Sequence, residues 1–121
     1  LQGVANELSE RMAGISSVIW FPTGDMYWSD AFYRLLGHKP QAMDPVYRMW
    51  QKSIHPEDLK VFNDAVTLAL NNQPVEEVRF RIVSKNGVRR LRMLFKQASA
   101  EDRAAVVGLV QDITAEVALV Q

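Results

Sequence analysis

The stretch VRFRIVSKNGVRRLRM, residues 78–93, decides how the chain is read. Val78, Phe80 and Ile82 alternate with Arg79 and Arg81, the period of two that puts successive side chains on opposite faces of a strand. Lys85, Asn86 and Gly87 then break the alternation, and Asn and Gly tolerate the positive φ of a tight hairpin turn. The pattern resumes with Leu91, Met93 and Phe95 set against Arg90, Arg92, Leu94 and Lys96. An antiparallel hairpin follows, with one apolar and one arginine-rich face.

Toward the C-terminus, SAEDR (residues 99–103) is a second turn. The stretch AAVVGLVQDI (104–113) is a strand apolar on both faces. Near the other end, SSVIWF (16–21), the turn PTGD (22–25) and MYWS (26–29) make another hairpin. Strands covered on both faces belong in the middle of a sheet. SSVIWF and the last strand are therefore expected as central neighbours, giving a five-stranded antiparallel sheet in the order 2-1-5-4-3.

The sequence between the hairpins is helical, so the fold class is α+β with helices on one face. Ser29 or Asp30 caps a helix carrying Phe32, Leu35 and Leu36, which Gly37 and Pro40 end. Residues 43–52 supply one or two turns with Trp50 buried. In IHPEDLKVFNDAVTLALNN (54–72), Pro56 opens the longest helix and Glu57 and Asp58 suit the positive end of its dipole. Leu59, Phe62, Val66 and Leu70, with Ala69, form its apolar stripe. Leu1, Val4, Leu8 and Met12 recur at spacings of three and four, a short amphipathic flanking helix that ends near Gly14. At the far end Ile113, Val117 and Val120 start another amphipathic stripe. The expected division is a flanking helix over 1–14, a domain over 15–114 and the start of a connector helix over 115–121.

Lysine plus arginine and aspartate plus glutamate both number 14, so the formal charge is zero, which argues against a general polyanion binder. The distribution is uneven: Arg79, Arg81, Lys85, Arg89, Arg90, Arg92 and Lys96 fall in one stretch without an acid. With no cysteine, disulfides, thiolate metal sites, cysteine nucleophiles and Cys-linked flavin are excluded. No apolar run approaches the roughly 18 residues of a membrane span, so this segment is expected to be cytoplasmic and free of membrane contact. The chain starts at Leu1 and reads as a piece of a longer protein, which can carry a membrane anchor elsewhere.

Four stretches in series resemble the PAS sensor domain with its C-terminal PAC part. WSDAFYRLLGHKP (28–40) is similar to the family's W-S-x-x-F-x-x-x-L-G-Y, and IHPEDL (54–59) to its I-H-P-x-D. The hairpin at 78–93 resembles E-x-R-x-x-x-x-x-G-x-x-R-W-x, and GLVQDIT (108–114) its final strand and D-I-T motif. His38 stands where Tyr is usual, and Leu91 where Trp is frequent. The resemblance implies a non-catalytic sensor or interaction module of a bacterial signalling protein, placed before a histidine kinase, a diguanylate cyclase, a phosphodiesterase or a chemoreceptor output. It implies dimerisation through the flanking helix, here Leu1, Val4 and Leu8. Such domains bind haem, flavin, small metabolites or nothing.

The residues narrow these options. Residues 57–72, the body of the long helix, hold no histidine, which argues against haem, and His38 and His55 have no carboxylate partner at metal-ligand spacing. His55 before Pro56 reads as a helix cap. Ser53, His55 and Asp58 are local to one helix opening and lack the glycine-framed elbow of a serine nucleophile. The arginine-rich hairpin lacks the aromatic pair of an RNA-binding sheet, so no nucleic-acid partner is expected. The candidate ligand pocket is lined by Phe32, Leu36, Trp50, Phe62, Val66, Phe80, Met93 and Leu109, with a filled core as the alternative. The candidate transmission site is Asp112 and Thr114: the Asp112 carboxylate either takes an arginine of the neighbouring strand, Arg90 or Arg92 being nearest, or caps the exit helix, for which Thr114 is the competing cap. Two other functions compete with the sensor. One is a ligand-free interaction and dimerisation module. The other is a small cone-fold enzyme, which requires an acid or base projecting into the cavity.

Overall fold

A computed structural model of the chain describes residues 14–85, 87–100 and 103–120. Leu1, Val4 and Leu8, and with them the expected flanking helix, lie outside the described residues. The strands are β1 (Ile15–Trp20), β2 (Met26–Trp28), β3 (Glu77–Ser84), β4 (Gly87–Ala100) and β5 (Arg103–Asp112). They form one antiparallel sheet in the order β2-β1-β5-β4-β3, as the sequence predicts. Between β2 and β3 come α1 (Asp30–Leu35), α2 (Tyr47–Gln51), a 3₁₀ turn (Pro56–Asp58) and α3 (Leu59–Leu70), and α4 (Thr114–Val120) follows β5.

The period of two sets which residues enter the core. Phe80 pairs with Leu91, Val78 with Met93, and Met93 with Val110, and all five are buried. Phe32, Trp50, Phe62, Val66 and Ala69 join them from the helices in one cluster. Ser29 caps α1 as expected, its Oγ accepting the Phe32 N–H at 3.3 Å. In α3 the buried residues are Phe62, Ala65, Val66 and Ala69, whereas Leu70 is exposed. At 100° per residue Leu70 lies about 80° round the helix from Phe62, at the margin of the stripe.

β5 is central for a reason other than the expected one. On the face away from the helices Leu109 is 46% exposed, as is its β4 neighbour Leu94 at 42%, so among the described residues β5 is not covered on both sides. What binds β5 into the middle is a ladder on each edge, with Gly108 opposite Val18 on one side and Phe95 on the other. Gly108 is also a packing requirement. A Cβ there would overlap Met93 Cε and stand 2.9 Å from Val18 Cγ2, because those side chains occupy the space. Gly108→Ala is expected to cost about 1–2 kcal/mol through overpacking, read by urea denaturation.

The β3 edge is covered by the segment that opens α3. The His55 N–H donates to the Arg81 carbonyl at 2.9 Å, and the Val83 N–H to the Ser53 carbonyl at 2.7 Å. Asp58 completes the cover: its Oδ2 accepts the Arg81 backbone N–H at 2.7 Å and Arg81 Nε at 2.8 Å, while Oδ1 accepts Nη2 at 2.9 Å. Over Arg81 to Val83 the edge groups are thus occupied and cannot template pairing with another chain.

Candidate functional site

β5 ends at Asp112 and α4 begins at Thr114, so only Ile113 separates strand from helix. Asp112 lies opposite Leu91 in the β4–β5 register. Its side chain therefore sits on the Leu91 face, which Arg89 shares by alternation. Asp112 Oδ2 accepts Arg89 Nε at 2.9 Å and lies 2.8 Å from Arg89 Nη2. Asp112 Oδ1 accepts the Thr114 N–H at 3.0 Å and the Thr114 hydroxyl at 2.6 Å. The same hydroxyl oxygen accepts the Arg90 backbone N–H at 2.9 Å, and the Arg90 carbonyl accepts the Ile113 N–H at 2.8 Å. One carboxylate thus holds β4 through one oxygen and the first residue of α4 through the other.

The electrostatics follow from this geometry. Only 16% of the Asp112 side chain is exposed, and burial works to raise its pKa. Hydrogen bonds from the Thr114 hydroxyl and N–H, with the Arg89 guanidinium, outweigh burial and hold the carboxyl below its usual range. The group is a fixed anion at neutral pH.

Two expected partners of Asp112 are corrected. Arg90 enters the junction through its backbone, and Arg92 Nη2 donates to Gln111 Oε1 at 2.7 Å instead. Arg90 and Arg92 are one residue out of phase with Leu91 and point to the opposite face. Arg89 was not among the candidates. Its signal was the period of two, readable only once the register is known.

The candidate pocket residues divide. Phe32, Leu36, Trp50, Phe62, Val66, Phe80 and Met93 are all buried in one cluster. Leu109 does not join them: it is exposed on the other face, being one residue out of phase with Val110. The cluster is dense in rings. Trp50 has Phe32 and Phe62 at 4.8 Å, Trp20 stacked at 5.6 Å, and Tyr47 and Phe80 at 6.1 and 6.3 Å between centroids. The buried polar residues, among those described, are Ser16 and Ser29.

The histidines serve structure where their partners are visible. His55 Nδ1 accepts the Glu57 N–H at 3.1 Å and caps the 3₁₀ turn. That nitrogen serves the turn, and α3 itself has no histidine. Asp58, the third member of the sequence-level triad, faces Arg81 rather than His55. Among the described residues no group of three His, Asp or Glu side chains is placed to hold a metal ion.

A family model described as the PAS fold matches residues 25–104. The chain belongs to the PAS-fold family. Solved structures of similar fold include a sensory box histidine kinase/response regulator from Burkholderia thailandensis, at 22% identity and TM-score 0.70, covering 93% of this chain and 87% of that one. Another is the N-terminal domain of a diguanylate cyclase with PAS/PAC sensor from Marinobacter aquaeolei, at 21% identity and TM-score 0.65, covering 84% of this chain and 98% of that one. A third is a domain of a putative light and redox sensing histidine kinase from Haloarcula marismortui, at 16% identity and TM-score 0.68, covering 92% and 98%. A comparison with curated proteins finds no match. PAS domains are sensory rather than catalytic, and in signalling proteins they commonly dimerise and stand upstream of output domains. Among the described residues no helix is long and apolar enough to cross a membrane.

Proposed function

We propose that this PAS domain is the sensory part of a multidomain signalling protein of the histidine kinase or cyclic-di-GMP turnover kind. Ligand binding or partner contact shifts the sheet, and the shift leaves through Asp112 and Thr114 into α4 and on to an output domain in the same chain. The observation that carries this reading is the divided carboxylate of Asp112, with one oxygen on Arg89 and the other on Thr114. A displacement of β4 relative to β5 changes one set of bonds and so alters the start of the helix. The test is made in the full-length protein. Asp112→Ala is expected to shift basal output and to lower the ratio of stimulated to basal output by about fivefold or more, the range of ordinary allosteric coupling. Unchanged basal and stimulated outputs in Asp112→Ala would sink the proposal.

One observation favours a second reading, in which the domain is a ligand-free interaction and dimerisation module. Seven of the eight candidate pocket residues pack in a single cluster, and Trp50 alone touches five other rings. In that reading the stimulus is a partner protein. The junction keeps its role, because it transmits a movement of the sheet whatever its origin.

A further inference from the structure

The arginines on the face away from the helices form a block of four. In the β3–β4 register Arg79 stands directly opposite Arg92, and Arg81 directly opposite Arg90. Like charges facing each other across strands are destabilising unless something neutralises them. Arg81 is neutralised by Asp58 and Glu57. Arg79 has Glu77 at 2.9 Å, an exposed pair that is easily exchanged. Arg92 bonds to the neutral Gln111, and its buried Nε–H has no acceptor among the described residues. Among the described residues no carboxylate pairs with Arg90.

Beside this block lies an open cleft of about 420 Å³. Arg79, Arg81 and Arg90 line it on the sheet side, and Ile113 and Val117 give it an apolar wall. Asp58 also borders the cleft, but both its oxygens are already bonded to Arg81. The cleft thus presents guanidinium donors without enough acceptors, next to a short hydrocarbon surface. We propose that it binds a small amphipathic carboxylate, with the head group on Arg90 and Arg79 and the apolar tail against Val117 and Ile113. Phe80 and Leu91, members of the interior cluster, also line the cleft. The Arg90 backbone is bonded to both Ile113 and Thr114, so a ligand spanning Arg90 and Val117 would grip the strand-to-helix junction from its outer side. Occupancy itself does not depend on whether the junction carries a signal.

Octanoate is the probe, with acetate as the head alone and 1-octanol as the tail alone. The ¹H–¹⁵N spectrum of the 121-residue chain is followed during each titration. Saturable shifts are expected at Arg79, Arg90, Ile113, Thr114 and Val117 with octanoate, weakening as salt is raised. Acetate and 1-octanol are expected to bind about tenfold more weakly or not at all, since each keeps only part of the contact. Arg90→Gln is expected to weaken octanoate by about tenfold while the rest of the spectrum is retained. Val117→Ser is expected to weaken octanoate but leave acetate unchanged. The proposal is overturned if the shifts fall on Trp50 and Phe62 in the interior or fail to saturate. It is also overturned if Arg90→Gln binds as well as the parent chain, or if raising the protein concentration without octanoate produces the same shifts, which would identify self-association.

Discussion

Trp50→Ala is expected to destabilise the domain by about 3–5 kcal/mol, the cost of removing a large aromatic side chain from a core. Trp50 is fully buried and lies at the centre of the ring cluster, with the Phe32 and Phe62 centroids at 4.8 Å. Deletion removes the contacts of five neighbouring rings at once, and rings fixed by their own neighbours cannot collapse into the space. A domain of this size holds about 5–15 kcal/mol in total, so the variant can fall near the threshold of folding. Trp50→Phe separates volume from polarity. Among the described residues the buried Trp50 indole N–H has no acceptor, and a desolvated donor costs about 1–3 kcal/mol. Phenylalanine removes that donor while keeping a ring, so the expected loss is about 1 kcal/mol or less. Urea denaturation followed by circular dichroism measures both variants. Equal losses for alanine and phenylalanine would show that the indole N–H is satisfied and that this account of the core is wrong.

Much of the fold was legible because alternation is a local signal. Val78, Phe80, Ile82, Leu91 and Met93 could be assigned to one face from neighbours two residues away, and the turn at Lys85–Gly87 needs only local chemistry. The strand order is legible too, partly on the premise that an apolar residue is a covered one. Leu109 exposes the weakness of that step: it is apolar, yet it sits on a face that no described helix covers. Register is a different kind of information. Whether Asp112 meets Arg89 or Arg90 depends on which residue of β4 lies opposite it, and a slip of one residue exchanges the two faces. Nothing in residues 89–92 fixes that slip, because arginines occur on both parities. The Asp58–Arg81 clamp was hidden for a related reason. The two are 23 residues apart, and Asp58 already had a sufficient local explanation in the helix dipole. Local sufficiency concealed a longer-range role, the closing of the β3 edge.

That clamp carries the second large effect, and it has a pH signature. Asp58→Asn is expected to cost about 2–3 kcal/mol at pH 7, since a buried-side hydrogen bond to a charged group is worth more than a neutral one. Asparagine keeps one acceptor oxygen but loses the charge and the second acceptor, so the three bonds from Arg81 cannot all be kept. Hydrogen bonds from the Arg81 side chain are the main cause that holds the Asp58 carboxyl below its ordinary value, against a smaller opposing effect of burial. A carboxyl depressed in the folded state stabilises the protein above its unfolded pKa of about 3.9, and that contribution is lost as the pH falls through the folded value. The parent chain should therefore lose stability more steeply than Asp58→Asn as the pH drops below about 4, and the gap between them should close. Asp112 is also depressed and is present in both proteins, so its contribution cancels in the difference. Urea midpoints taken at intervals from pH 7 to about pH 2.5 measure the gap directly. A gap of constant size across that range would mean that Asp58 acts through shape alone, and that the charge on the β3 edge contributes nothing to holding the helical segment against the sheet.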